Sequence, residues 1–86
     1  MRTTVEKIEY LEKILNKLLL FSRHYSKVKV IVSSKDFMVI WSDPRDNYYS
    51  FEVIEVPLED LDKRIEHYKN KLRHNFKKRN NNKKFN

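Results

Sequence analysis

Between Lys27 and Val56 the chain reads KVKVIVSSKDFMVIWSDPRDNYYSFEVIEV, and the fold follows from how this stretch divides. Lys27 to Ser33 alternates, with Val28, Val30 and Val32 on one face and Lys27, Lys29 and Ile31 on the other. A period of two marks a strand with one buried face. Ser33 to Asp36 is short and polar and suits a hairpin turn. Phe37 to Ser42 is rich in aromatic and β-branched residues and predicts a second strand. Asp43-Pro44-Arg45-Asp46-Asn47 is a turn cluster with proline at its natural second position. Tyr48 to Val56 predicts a third strand, with Tyr49, Phe51 and Val53 on one face and Tyr48, Ser50, Glu52 and Ile54 on the other. The connections are too short for parallel crossovers, so the three strands form an antiparallel meander.

A helix is expected on either side of this meander. Thr3 and Glu6 have capping-box spacing at the head of a helix over Thr3 to Phe21. Val5, Ile8, Leu11, Leu15 and Leu18 recur every three or four residues, and Ile14 and Phe21 widen that stripe. Ser22 to Ser26 reads as a loop. Pro57 suits the first turn of a last helix, where its missing N–H costs nothing. Glu59, Asp60 and Asp62 then sit at the positive end of the helix dipole and the lysines at its negative end. Leu58, Leu61, Ile65, Tyr68, Leu72 and Phe76 form a narrow stripe, all within about 40° of Leu72 at 100° per residue. The predicted class is α+β, in the order α-β-β-β-α, with both helices on one face of the sheet. The other face, carrying Lys, Ser, Tyr and Glu among apolar residues, tolerates water. One domain spans residues 1–79, and Asn80 to Asn86 is too poor in apolar residues to fold alone.

The chain has 86 residues and no cysteine, which excludes disulfides and thiolate metal sites. Its apolar runs, such as Leu18 to Phe21, are far short of a membrane span, and a soluble cytoplasmic protein is expected. The net charge of +7 is unevenly placed: residues 1–55 carry nine Lys/Arg against eight Asp/Glu, and residues 56–86 ten against four. A concentrated excess of this kind points to nucleic acid or another polyanion. Lys69, Arg73 and Lys77 ascend one flank of the last helix, Lys71 and Lys78 the other, and His74 and Arg79 complete the basic end. Lysines would meet phosphates as point charges, and arginines as forks. Lys13, Lys17, Arg23, Lys27 and Lys29 extend the surface if they fold onto the same side.

Other readings of the polar and aromatic residues are weaker. Trp41, Tyr48 and Tyr49 can stack on bases, although strand aromatics more often pack. His24, His67 and His74 lack the spacing and the partners of a metal site. Asp43 and Asp46 are accounted for as turn residues, and Glu52 and Glu55 fall on opposite strand faces, which leaves no nuclease carboxylate set. With no nucleophile–base pair and no glycine for a phosphate loop, neither an enzyme nor a cofactor is expected.

Several patterns together resemble the ribosome hibernation promoting factors and ribosome-associated inhibitor A, in their short form. The family's first helix commonly reads T-x-x-L-x-x-Y-V-E-x-K-L-x-K-L. Thr4, Ile8, Tyr10, Leu11, Glu12, Lys13, Leu15, Lys17 and Leu18 are similarly arranged here. Val28, Val30, Val32 and Ser33 resemble its V-x-V-x-L-S strand. Glu59, Asp60, Leu61, Ile65 and Glu66 resemble the D-D-M-Y-x-A-I-D opening of its last helix, and Lys71, Leu72 and Lys78 match the later K-L-x-R-Q-L-x-K. The similarity covers residues 3–79. Asp62 replaces the motif's tyrosine, Leu19 and Leu20 replace charged residues, and the family's strand before the first helix has no counterpart, which predicts an unpaired sheet edge. The resemblance implies a protein that binds the small ribosomal subunit and its rRNA. It would fill the channel of messenger RNA and transfer RNA near the decoding centre and stop translation in idle ribosomes. Two alternatives stay open. One is a general RNA-binding module, since the double-stranded-RNA-binding domain shares the element order, although the acidic start of the last helix departs from its lysine cluster. The other is a small protein-binding inhibitor, such as a phage-encoded one, acting through the apolar first helix or a sheet edge.

Overall fold

The structure, a computed structural model, describes residues 2–45 and 50–84, with backbone alone at Ser50 and at 79–84. Helix α1 (Thr4–Leu18) ends in a 3-10 turn, Leu19–Phe21. Strands β1 (Lys27–Val32), β2 (Asp36–Asp43) and β3 (Ser50–Pro57) follow, then a 3-10 turn, Leu58–Asp60, and helix α2 (Leu61–Lys84). The sheet order is β1-β2-β3 with both pairings antiparallel. The α-β-β-β-α order and the meander are therefore as the sequence predicts. The helices run parallel: Lys7 meets Asp62 near their starts, and Phe21 meets Phe76 near the end of the packed region.

The core is built from one stripe of each helix and the middle of the sheet. α1 supplies Ile8, Leu11, Ile14, Leu15 and Leu18, and α2 supplies Leu61, Ile65 and Tyr68. Phe37 and Val39 of the central strand, with Val56 of β3, form the floor. Val28 and Val30 of β1 are only half-buried, because an edge strand is covered from one side alone.

Register decides which face of each strand is inside. Val32, Phe37 and Val56 lie side by side across the sheet, as do Val30, Val39 and Ile54, and Val28, Trp41 and Glu52. These rows face the helices. Lys27, Ser42 and Phe51 form a row of the opposite face, as do Lys29, Ile40 and Val53. The open face carries Lys27, Lys29 and Ser42, and its β3 glutamate is Glu55, which reverses the expected facing of that strand. Glu52, however, faces the helix layer, while Phe51 and Val53 are left 58% and 45% exposed. The partner of Val56 is Phe37, which must be inside, and strand parity then turns Phe51 and Val53 outward.

Three boundaries differ from the sequence reading. Val5 is 67% exposed. At 100° per residue it lies roughly 120° from the centre of the Ile8–Leu18 stripe, although it stands three residues before Ile8. Pro57 closes β3 in an extended conformation, φ −58° and ψ 140°, and caps the 3-10 turn instead of entering the helix. Helix α2 continues to Lys84, past the residue-79 boundary, because propagation adds one hydrogen bond per residue once a helix is nucleated. Phe85 and Asn86 lie outside the described residues, as do Asp46, Asn47, Tyr48 and Tyr49.

The remaining joints are local. Thr3 caps α1, its hydroxyl accepting from the Glu6 N–H at 3.2 Å. The Glu6 carboxylate accepts from that same hydroxyl, so the box closes through the side chain rather than the Thr3 N–H. In the β1–β2 hairpin the Ser33 N–H donates to the Asp36 carbonyl at 2.9 Å, and the Leu58 N–H donates to the Lys35 carbonyl at 2.9 Å. The second bond fixes the hairpin tip to the turn that launches α2. Asp43 accepts from the Arg45 N–H at 3.1 Å, the role expected of a turn aspartate.

A candidate nucleic-acid interface

Helix α2 is the longest element, 24 residues, or about 36 Å at 1.5 Å per residue. Its apolar stripe loses burial along its length. Tyr68 is 3% exposed, Leu72 is half-buried and Phe76 is 42% exposed. The Phe76 ring still meets the Phe21 ring edge-on at 5.1 Å, and this is the last anchor among the described side chains. From Lys69 to the end of the chain the sequence has no acidic residue, so the least anchored part of the helix is the most positive.

The sequence-predicted cations do not form one surface. Lys69, Arg73 and Lys77 follow the flank of α2 beside α1. Lys13 and Lys17 are exposed on the outer side of α1, turned away from its core stripe. Lys69 is already engaged: it lies 3.5 Å from Glu66 and 5.9 Å from the centre of the Tyr10 ring. Arg2 covers that ring at 4.3 Å. Lys71 and Lys78 take the other flank, toward the strands, with exposed His74 next to them. Arg23 is exposed in the α1–β1 loop. Lys27 and Lys29 project from the open sheet face, away from both helices, because strand alternation assigns them opposite to Val28 and Val30. They do not extend the helix-layer surface. The Arg79 side chain lies outside the described residues.

The α2 flank that carries Lys71 borders a cleft of about 300 Å³. Arg64 and His67 stand on the same side of the cleft as Lys71. Arg64, Lys71 and Lys78 are spaced by seven residues, so they form a row with steps of about 10.5 Å. That spacing is the signal by which the sequence could have revealed Arg64. The opposite wall holds Tyr25 and Trp41, whose ring centres are 6.4 Å apart. Tyr25 is fixed locally: the Ser22 hydroxyl accepts from the His24 N–H at 3.3 Å and the Tyr25 N–H at 3.1 Å. The Ser26 N–H then donates to the Ser42 carbonyl at 3.0 Å, which continues the β1–β2 ladder beneath it. Nothing in the sequence marks Tyr25, because its position is set by a loop turning back onto β2.

Tyr68 and Glu52 complete the cleft. The Tyr68 hydroxyl is buried without a hydrogen-bond partner among the described residues. Burial pushes its pKa up, the neighbouring Arg64 guanidinium works against that, and Glu52 adds a smaller upward push. It is therefore a neutral donor at physiological pH. Glu52 has no ion pair among the described residues, despite the cations across the cleft. Glu55 points to the other sheet face, as alternation predicts. The acidic start of the last helix has a partner: Lys7 Nζ lies 3.0 Å from one oxygen of Asp62 and 3.1 Å from the other. No three His, Asp or Glu side chains among the described residues come together to hold a metal, and no helix there is long and apolar enough to cross a membrane.

Comparison with known protein families, with curated proteins and with solved structures returned no match for this chain.

Proposed function

We propose that this protein binds structured RNA, with the small ribosomal subunit as its target, and halts translation by filling the messenger and transfer RNA channel near the decoding centre. The observation that carries this reading is α2, a long helix held at one end by the core and basic on both flanks beyond Lys69. Two cationic flanks suit two walls of an RNA channel. Each phosphate neutralised would release counterions, giving affinity that falls steeply with salt. Such contacts set position, while shape supplies the specificity. The action is occupancy, with no covalent step. The α-β-β-β-α order is also the order on which the hibernation-factor resemblance rests.

Sedimentation through sucrose gradients tests the reading. The protein is expected to travel with ribosomal particles at low salt, and to leave them when Lys71, Lys77 and Lys78 are changed to glutamate with the circular dichroism unchanged. A chain that stays at the top of the gradient at low salt rules out the ribosome. Equal affinity for a plain RNA duplex and for ribosomes would favour a general RNA-binding module. The acidic first turns and the Lys7–Asp62 pair weigh against that module, because they spend the helix start on a contact with α1.

One observation favours a second reading. Ile31, Phe51 and Val53 are exposed on the open sheet face, a surface suited to a protein partner. If a protein is the target, the triple charge reversal leaves binding intact.

A further inference from the structure

The cleft between α2 and the strands has a composition that phosphate binding does not explain. A site for phosphate alone needs cations and N–H donors, yet this one includes the carboxylate of Glu52, which has no ion pair among the described residues. It also has an aromatic wall, Tyr25 and Trp41, tilted 39° to one another. Tyr68, shared with the core, is 3% exposed and closes the floor beside Arg64.

We propose that this cleft receives a single unstacked base of an RNA strand. Tyr25 and Trp41 supply the stacking wall. Glu52 accepts from a base amino or imino group, as carboxylates do from cytosine N4. Arg64 and Lys71, on the α2 side, meet the phosphates that flank the base. The volume of about 300 Å³ lies at the lower end of the range for small-ligand sites, which suits one base. Every base offers a π-face, so the wall tolerates sequence, and Glu52 supplies what preference there is. This inference rests on the RNA-binding reading and assigns a second mode of contact to it: the flanks hold the backbone, and the cleft holds a base.

Trp41 is the only tryptophan in the chain, so its fluorescence reports the cleft directly. The full chain is titrated at one fixed salt with a single-stranded RNA octamer and with an abasic octamer of the same length. The RNA is expected to shift or quench Trp41 emission and to bind roughly 5- to 150-fold more tightly than the abasic strand. Tyr25→Ala should remove that preference and keep the abasic affinity. Glu52→Gln, which conserves shape and needs no refolding, should weaken oligocytidylate more than oligouridylate. Lys77→Glu with Lys78→Glu should weaken the RNA and the abasic strand alike. Equal affinity for both strands with unchanged Trp41 emission overturns the base site and leaves RNA binding standing. If neither octamer binds, the base site also fails, and the sucrose gradient decides separately whether the ribosome reading survives.

Discussion

Glu55 and Asp36 lie together on the open sheet face, and each alters the other's titration. The Ser33 hydroxyl bonds Asp36 and, with Glu55, holds its carboxyl below the usual range. Asp36 in turn holds Glu55 above the usual range. A lowered carboxyl pKa contributes stability that is present above the unfolded value and lost as pH falls through the folded one. A raised one does the reverse: it favours the fold at low pH, and that contribution is lost as pH rises through the folded pKa. Glu55→Gln removes the unfavourable member. Its melting temperature is expected to exceed that of the wild type modestly at pH 7 and to match it at pH 3, where Glu55 is protonated in both states. Thermal unfolding followed by circular dichroism at the two pH values checks this. An equal gain at both would show that charge is not the cause.

At the scale of elements, α2 has two mechanical halves. From Leu61 to Tyr68 it is bound to the core, and from Leu72 onward the Phe21–Phe76 contact is its principal described tether. An aromatic pair of this geometry is worth about 0.5–1.5 kcal/mol beyond the area that it buries. Phe76→Ala is therefore expected to release the basic end without melting the fold. Amide exchange should quicken after residue 72 and stay slow at Ile65 and Tyr68. Uniformly faster exchange would mean that Phe76 supports the whole helix layer. The element boundaries that the sequence leaves uncertain are the capped ones. Pro57 is compatible with a strand end and with a first helical turn, and the Leu58–Lys35 hydrogen bond from a distant hairpin selects the former. Val5 fits the apolar spacing of α1, yet its exclusion follows from the way the helix rolls toward Ile14 and Leu18 as it docks.

For the whole molecule, the charge is divided among three surfaces: the α1–α2 groove, the cleft flank and the open sheet face. A ribosome held through the helix layer would engage the first two and not Lys27 or Lys29. Alanine at Lys71, Lys77 or Lys78 is expected to reduce the slope of log affinity against log salt by about one each, whereas alanine at Lys27 and Lys29 leaves it unchanged. Binding measured between about 50 and 200 mM salt tests this. A slope that falls with the sheet-face lysines instead would move the interface to the other side of the protein.

The sequence by itself determined the element order, the antiparallel meander and the apolar stripe of α2, because each depends on spacing within one segment. Alternation every second residue, turn chemistry at Asp43-Pro44 and a three-to-four repeat are local, and they survive folding. Only the tertiary structure decided which side of β3 faces the helices, because that depends on pairing Val56 with Phe37 across the sheet. The same cross-strand register put Glu52 beside Trp41, and the α1–β1 loop brought Tyr25 against Trp41. Arg64, Lys71 and Tyr68 arrived from a helix that follows in the chain. The basic end was legible as composition, but its division into separate surfaces and the cleft beside it come from contacts between residues far apart in sequence, which no local pattern encodes.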